Sequence, residues 1–93
     1  MTAKEYAKIG DDHFIRDNYF RAISNYNKAI KLDPWNADYW AKRGRVYHRQ
    51  GKYDAARDDL KKALSIDPSH DLAEKELRAA DGLIGTAFRK IFG

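Results

Sequence analysis

The sequence predicts an all-α protein built as a stack of antiparallel helix-turn-helix repeats. The stretch KAIKLDP at residues 28–34 recurs almost unchanged as KALSIDP at residues 62–68. A single shift of 34 residues aligns a whole unit and not these stretches alone, which is typical of repeat proteins. Within each unit, small and apolar residues recur three or four positions apart, which indicates helices rather than strands. We therefore expect two similar helical hairpins along the chain.

The first repeat spans residues 3–36 and the second spans residues 37–70. Ten residue pairs are identical under the shift: Ala3/Ala37, Ala7/Ala41, Lys8/Lys42, Gly10/Gly44, Tyr19/Tyr53, Ala22/Ala56, Lys28/Lys62, Ala29/Ala63, Asp33/Asp67 and Pro34/Pro68. Several other pairs, such as Tyr6 with Trp40, are similar in kind. This agreement predicts that the two units share one backbone path.

The first helix of each unit has a recognisable start or end. Thr2 and Glu5 fit a capping box, which would start the first helix near Ala3. Gly51 can end the first helix of the second unit in a left-handed conformation. Residues 17–18, Asp-Asn, occupy the corresponding place in the first unit, and Asn is the residue next most tolerant of that conformation.

The second helix of each unit is predicted to end at a proline and to lie close to the first. Pro34 and Pro68 bias the preceding residue away from the helical region. Gly10 on the first helix and Ala22 on the second, like their equivalents one repeat later, would let two antiparallel helices approach each other closely. The sequence therefore predicts tight hairpins with large side chains filling the flanking space.

Residues 71–93 are predicted to form a capping helix and an amphipathic tail. Asp71 with Glu74 can start this helix, and a repeat stack needs a last helix that covers its apolar face. Beyond Gly82 the tail either continues the cap or folds back as a short helix. It could instead dock into a groove, onto a partner or onto a membrane surface. The residues predicted for self-association or groove docking are Phe88, Ile91 and Phe92.

Both units resemble tetratricopeptide repeats. The first reads Tyr6-x-x-Ile9-Gly10-x-x-His13, followed by Ala22, Tyr26, Ala29 and Pro34. The second reads Trp40-x-x-Arg43-Gly44-x-x-Tyr47, followed by Ala56, Leu60, Ala63 and Pro68. The resemblance covers residues 3–70 and implies a right-handed superhelical stack, with residues 1–93 as a single domain. It also implies a protein–protein interaction module, a scaffold or adaptor that binds a peptide segment in the concave groove formed by the first helices.

Two residues depart from the family pattern. His13 stands where an aromatic residue is usual, and Arg43 stands where an aliphatic residue is commoner. Arg43 shares a helix face with Trp40 and Tyr47, so we expect it to be half-buried. An acid on the next helix, Asp58 or Asp59, is then its expected companion, and a structural role is favoured over ligand binding.

The sequence contains nothing that favours an enzyme or a cofactor. It has no cysteine, and its three histidines are not spaced with acids as metal ligands are. Adjacent acid pairs, Asp11-Asp12 and Asp58-Asp59, point in different directions on a helix and favour a solvated face over catalysis. No apolar run approaches a membrane span, and residues 1–5 do not resemble a signal peptide. We therefore expect a cytoplasmic binding protein without metal or cofactor.

A basic stripe is the best candidate for the binding site. The net charge is +4, and residues 37–70 carry eight Lys or Arg against five Asp or Glu. Lys42, Arg45 and Arg49 share one helix face. Helical spacing predicts these peptide-binding residues: Lys8, Asp11, Lys42, Arg45, His48, Arg49 and Lys75. The plainer interpretation of the cations is a solubilising surface, and the functional one is a groove for an acidic segment or a free C-terminal carboxylate.

Related co-chaperones hold a C-terminal carboxylate with Lys, Asn and Arg at five places, which the resemblance maps onto Ala7, Asp11, Lys42, Leu72 and Glu76. None of the five matches, so we do not expect that clamp here. The differences between the two repeats that bear most on binding are at three equivalent positions: Asp11 and Arg45, Phe14 and His48, and Ile15 and Arg49. We expect a specific partner to be recognised there. The alternatives are self-association through residues 83–93 and, less favoured, RNA binding through the basic stripe.

Overall fold

The computed structural model describes the backbone of residues 1–92 and the side chains of residues 1–81. Within these limits the chain forms five α-helices, which confirms the predicted all-α class. They are α1 (Ala3–Ile15), α2 (Tyr19–Leu32), α3 (Ala37–Arg49), α4 (Tyr53–Ile66) and α5 (Asp71–Phe92). Helices α1 and α2 pack as one hairpin, α3 and α4 pack as the next, and α5 covers α3 and α4. As far as the structure describes them, none of the helices combines the length and the hydropathy needed to cross a membrane.

The odd-numbered helices begin at side chains that cap their first amides. Thr2 accepts a hydrogen bond from the Glu5 amide at 3.1 Å, and the Glu5 carboxylate accepts one from the Thr2 amide at 3.0 Å, as predicted for a capping box. These bonds lower the pKa of Glu5. Asn36 accepts from the Asp38 amide at 3.0 Å, and His70 accepts from an amide in the first turn of α5 at 3.2 Å. The three caps recur at the repeat period, so each inner helix starts in the same register.

The turns after α1 and α3 both use a left-handed residue. Gly51 has a φ angle of 77°, as predicted, and Asp17 has a φ angle of 58°. The expectation that Asn18 would supply tolerance at this place is therefore wrong, since Asn18 has a φ angle of −92° and precedes α2. Asp17 is the residue in register with Gly51, and its carboxylate accepts a hydrogen bond from the Tyr19 hydroxyl at 3.1 Å.

The close approach of the two helices in each hairpin depends on glycine. A Cβ atom added to Gly10 would lie 2.6 Å from a ring carbon of Tyr26, and one added to Gly44 would lie 2.9 Å from Leu60 Cγ. Both distances are shorter than van der Waals contact allows. Tyr26 and Leu60 are fully buried, so each fills the space that the missing side chain leaves.

Arg43 is a structural residue, as the sequence predicted. Its Nε and Nη2 atoms donate to the two carboxylate oxygens of Asp59, each at 2.7 Å, and its Nη1 atom donates to Asn27 at 2.8 Å. The guanidinium also lies 5.1 Å from the Trp40 ring centre and 5.7 Å from that of Tyr47. Burial raises the pKa of the Asp59 carboxyl, while the hydrogen bonds from Arg43 oppose that effect. The residue therefore joins α3 to both outer helices.

Helix α5 runs without a break from Asp71 to Phe92. The cap therefore continues as one helix, and the alternative that it folds back near Gly82 is wrong. Ala73 and Ala80 are fully buried on the face toward α3 and α4. The side chains of Phe88, Ile91 and Phe92 lie outside the described set, so their role in self-association or groove docking stays a prediction.

Candidate functional site

Helices α1, α3 and α5 lie side by side and form one surface, which we call the inner face. Lys42 on α3 donates to Asp11 on α1 at 2.9 Å. Farther along the same helix, His48 Nδ1 lies 3.2 Å from Glu76 Oε2 on α5. Helices α2 and α4 pack behind this layer. These two polar contacts, together with one between Asp38 on α3 and His70 just before α5, connect the three inner helices across the surface where the sequence predicts the site.

A cavity of about 440 Å³ lies between α1 and α3 on the inner face. It is lined by Lys4, Ala7, Lys8, Asp11, Asn36, Asp38, Tyr39 and Lys42. Of the seven predicted site residues, the structure therefore brings Lys8, Asp11 and Lys42 together around one space. The other four lie along α3 and α5 outside this cavity.

Asp11 is the centre of a hydrogen-bond network beneath the cavity. The Tyr26 hydroxyl donates to Asp11 Oδ1 at 2.6 Å, and Lys42 donates to Oδ2 at 2.9 Å. Burial and the hydrogen bond to Asp11 raise the pKa of Tyr26, and the positive charge of Arg45 acts in the opposite direction. Because Asp11 already compensates the charge of Lys42, this lysine is not a freely available cation of the stripe.

His48 and Glu76 form the second polar contact of the inner face. Their side chains are each 11% exposed, and the His48 ring also meets the Tyr53 ring edge-on with 5.5 Å between the ring centres. Glu76 stands where the clamp of related co-chaperones has a cation. Its carboxylate at this place would repel a ligand carboxylate and instead holds α5 against α3.

Phe14, Arg45 and Arg49 form a third group, which we call the arginine cluster. The guanidinium carbon of Arg45 lies 4.1 Å from the Phe14 ring centre, and that of Arg49 lies 6.0 Å from it. Phe14 also packs against Tyr19, with 5.9 Å between the ring centres. The ring joins the end of α1 to the end of α3, so the two arginines are held at one end of the inner face.

Lys75 is the predicted site residue that lies on α5, whereas the other six lie on α1 and α3. It is exposed on α5, and within the described side chains no hydrogen bond or salt bridge joins it to the other six. Across the same part of the chain, no group of three or more His, Cys, Asp or Glu side chains could hold a metal ion. The site that these residues form is a surface of charged and aromatic groups.

Five residues that line the cavity are not among the seven predicted site residues: Lys4, Ala7, Asn36, Asp38 and Tyr39. Tyr39 is 7% exposed and lies one helical turn before Lys42, a spacing that could have included it. Its counterpart in the first repeat is Glu5, so comparison of the two copies gave no signal. Asn36 was overlooked because it precedes the helix, yet its capping position places it at the rim of the cavity.

Curated relatives match most of this chain but only a small part of their own. The chain is 41% identical over 76 residues to Sperm-associated antigen 1 of Mus musculus, a match that covers 82% of the chain and 8% of the relative. It is 37% identical over 68 residues to Small glutamine-rich tetratricopeptide repeat-containing protein 2 of Saccharomyces cerevisiae, covering 73% and 20%. The chain thus spans a fifth or less of the length of these relatives.

Solved structures share the fold over most of this chain. The second TPR of Spaghetti (RPAP3), bound to the HSP90 peptide SRMEEVD, matches with a TM-score of 0.87 and 29% identity, covering 92% of this chain and 80% of that one. The crystal structure of MamA matches with a TM-score of 0.85 and 31% identity, covering 90% and 49%.

The repeat units also match known sequence profiles. Residues 10–51 match a profile described as TPR repeat, and residues 37–70 match one described as tetratricopeptide repeat. Together the two matches cover residues 10–70, which include most of both hairpins and the two glycines at which their helices approach closely. Sequence period, capping, packing and similarity therefore agree that this chain belongs to the tetratricopeptide repeat family.

Proposed function

We propose that this chain is a protein–protein interaction module that binds an extended peptide segment along its inner face and favours acidic peptides. The open cavity between α1 and α3, with exposed Lys4 and Lys8 at its edge, is the observation that carries the proposal. Two solved structures of similar fold add support, because they contain RPAP3 modules with the HSP90 peptide SRMEEVD and the HSP70 peptide SGPTIEEVD.

The charge of the inner face supports an acidic ligand. Its cations are Lys4, Lys8, Lys42, Arg45, Arg49 and Lys75, and its acids are Asp11, Asp38 and Glu76. All three acids are already paired within the fold, Asp11 with Lys42, Glu76 with His48 and Asp38 with His70. The surplus is therefore positive, and it would speed the association of an acidic segment and select against basic ones.

The ligand is expected to be recognised by its side chains and not by a free C-terminal carboxylate. Two of the five clamp positions hold acids, Asp11 and Glu76. Ala7, at a third, is buried and offers no donor. Lys42, at a fourth, donates to Asp11. Across these five positions a terminal carboxylate would meet two acids and one lysine, so capping the C-terminus should cost little affinity.

Selection from a displayed library of random nine-residue segments would test the groove, followed by fluorescence anisotropy on the enriched peptides. We expect an excess of Asp and Glu in the enriched set and binding that weakens as salt rises. Lys8→Glu with Arg49→Glu should abolish binding, because both exposed cations lie on the inner face. Lys42→Glu is a poor substitute, since it would place a second carboxylate beside Asp11.

The matched control reverses two exposed cations on the outer helices, Lys31→Glu with Lys61→Glu. It changes the net charge equally and should leave affinity nearly unchanged. Equal loss in both variants would show that binding follows net charge and not the groove. The peptide SRMEEVD, compared as free acid and as C-terminal amide, separates side-chain recognition from a carboxylate clamp, and much tighter binding of the free acid would contradict our proposal.

A further inference from the structure

The arginine cluster occupies three of the positions at which the two repeats differ in chemistry. Phe14 comes from the first repeat, where the second has His48. Arg45 and Arg49 come from the second repeat, where the first has Asp11 and Ile15. The stack of two guanidiniums on one ring therefore exists only at the junction between the two units, and neither unit could form it alone.

The two guanidiniums are among the uncompensated cations of the inner face. Neither Arg45 nor Arg49 forms a salt bridge with any side chain that the structure describes. The Nε atom of Arg45 is buried without a hydrogen-bond partner in the same set, and an unsatisfied buried donor costs free energy. Asp11 accepts from Tyr26 and Lys42 and is not a partner of this Nε atom.

We propose that Phe14, Arg45 and Arg49 form a subsite for a carboxylate side chain, Asp or Glu, of the bound peptide. This inference rests on the peptide-binding function proposed above and names the ligand group that one end of the groove takes. A guanidinium donates two parallel hydrogen bonds to a carboxylate, and its planar fork fixes the orientation of the acid. The Phe14 ring holds that plane in place through a cation–π contact, so Arg45 is ordered before the ligand arrives.

The surroundings of the cluster favour one carboxylate over a longer acidic run. Asp17 lies at the neighbouring turn and holds the Tyr19 hydroxyl, and Glu76 on α5 is paired with His48. These acids flank the two arginines and would repel negative charge beyond the subsite. An acidic residue followed by a neutral or basic one is thus the sequence that this end of the groove should prefer.

NMR of the arginine Nε–Hε groups tests the subsite with a defined probe. The probe is acetyl-Ala-Glu-Ala-Ala-amide, and acetyl-Ala-Gln-Ala-Ala-amide is its neutral match. We expect saturable shifts at Arg45 and smaller ones at Arg49 with the acidic probe only. Arg78, which donates to Glu74 on the exposed side of α5, is the internal control. Shifts that are equal at Arg78 and Arg45, or equal with the two probes, would overturn the subsite.

A variant that keeps the charge tests the fork itself. Arg45→Lys should lower the affinity for the acidic probe about tenfold, because one charge-assisted hydrogen bond and the stacking of the planar guanidinium on Phe14 are lost. Arg78→Lys should leave that affinity unchanged. Phe14→Leu should lower the affinity for the acidic probe by a smaller factor while the fold is retained. Wild-type affinity in Arg45→Lys would overturn the assignment.

The two proposals fail in different ways. Library peptides could bind the wild type and not the Lys8→Glu with Arg49→Glu variant, while the Arg45 Nε–Hε signal does not shift and Arg45→Lys keeps its affinity. In that case the subsite proposal is wrong and the groove proposal is retained. If the acidic probe shifts Arg45 but no nine-residue peptide is captured, the subsite stands and the groove proposal is wrong.

Discussion

The two repeats close their hairpins at the same place with different side chains. In the first, Tyr26 fills the space beside Gly10, and in the second, Leu60 fills the space beside Gly44. The Tyr26 hydroxyl donates to Asp11, whereas Leu60 has no polar side-chain atom. The repeat therefore requires a large side chain at this position, and that side chain can be polar or apolar. That freedom lets the first repeat carry a polar connection from its core to the inner face.

The second repeat places its polar connection elsewhere. Arg43 and Asp59 occupy the positions that Ile9 and Asn25 hold in the first. Arg43 donates to Asp59 on α4 and also to Asn27 on α2. It therefore ties the second hairpin to the first. Each repeat thus replaces one apolar position of the shared pattern with a polar group, and each uses that group to reach a different neighbour.

Replacing Arg43 with the isoleucine that the first repeat has at this position should lower the free energy of unfolding more than any other change considered below. Arg43→Ile leaves the carboxylate of Asp59, which is 5% exposed, without its two donors. We expect the free energy of unfolding to fall by about 3 kcal/mol, since a buried charge that loses its partner is strongly destabilising. Urea unfolding followed by circular dichroism measures this, with Arg78→Ile on the exposed side of α5 as a control that should change little.

The double variant Arg43→Ile with Asp59→Asn completes the first repeat's pair and sharpens the result. No buried charge remains, so most of the lost stability should return. If the double variant stays as unstable as the single one, the connection to Asn27 and not the ion pair is what stabilises the second repeat.

The two glycines should differ in the cost of an added methyl group. Gly10→Ala sets a Cβ atom 2.6 Å from the Tyr26 ring, whose hydroxyl is held by Asp11. Gly44→Ala sets one 2.9 Å from Leu60 Cγ. After the gain in helix propensity, we expect losses of about 2 kcal/mol for Gly10→Ala and about 1 kcal/mol for Gly44→Ala in thermal or urea unfolding. Increased stability in Gly10→Ala would contradict the close approach.

Replacing Tyr26 with leucine, the second repeat's residue, tests why Gly10→Ala should lose more stability than Gly44→Ala. In a Tyr26→Leu background, the added penalty of Gly10→Ala should drop to that of Gly44→Ala. An unchanged penalty would assign the difference to the backbones and not to the held ring.

The architecture was predictable because it depends on local and periodic signals. Gly10, Gly51 and Pro34 each act on the backbone or on one neighbouring helix, so their spacing alone predicts hairpins and turns. The partner of Arg43 was narrowed to two adjacent acids by helix geometry, and the structure selects Asp59. Asp17 was missed as the left-handed residue because aspartate and asparagine share that tolerance, and only the register of the turn decides between them.

The site was predictable as a set of charges but not as a set of pairs. Spacing on one helix placed Lys42, Arg45 and Arg49 on a common face, yet it could not show that Asp11 would compensate the first of them. Pairing between α1 and α3 depends on how far the two helices lie apart and how each is rotated. The same limit hid the contact of Phe14 with the two arginines, which are distant in sequence.

The smallest effect concerns the first repeat's polar connection. Tyr26→Phe removes the hydroxyl but keeps the ring, and Asp11 retains Lys42, so we expect a loss of about 1 kcal/mol at pH 8. Burial raises the pKa of Tyr26 above its ordinary value of 10.0, so above pH 10 only the unfolded state releases this proton. The wild-type free energy of unfolding should then fall by up to about 1.4 kcal/mol per pH unit relative to the variant. Urea unfolding at pH 8 and pH 11 should therefore show the two proteins converging, and a gap that stays constant would mean that the Tyr26 hydroxyl is as accessible to base as a free tyrosine.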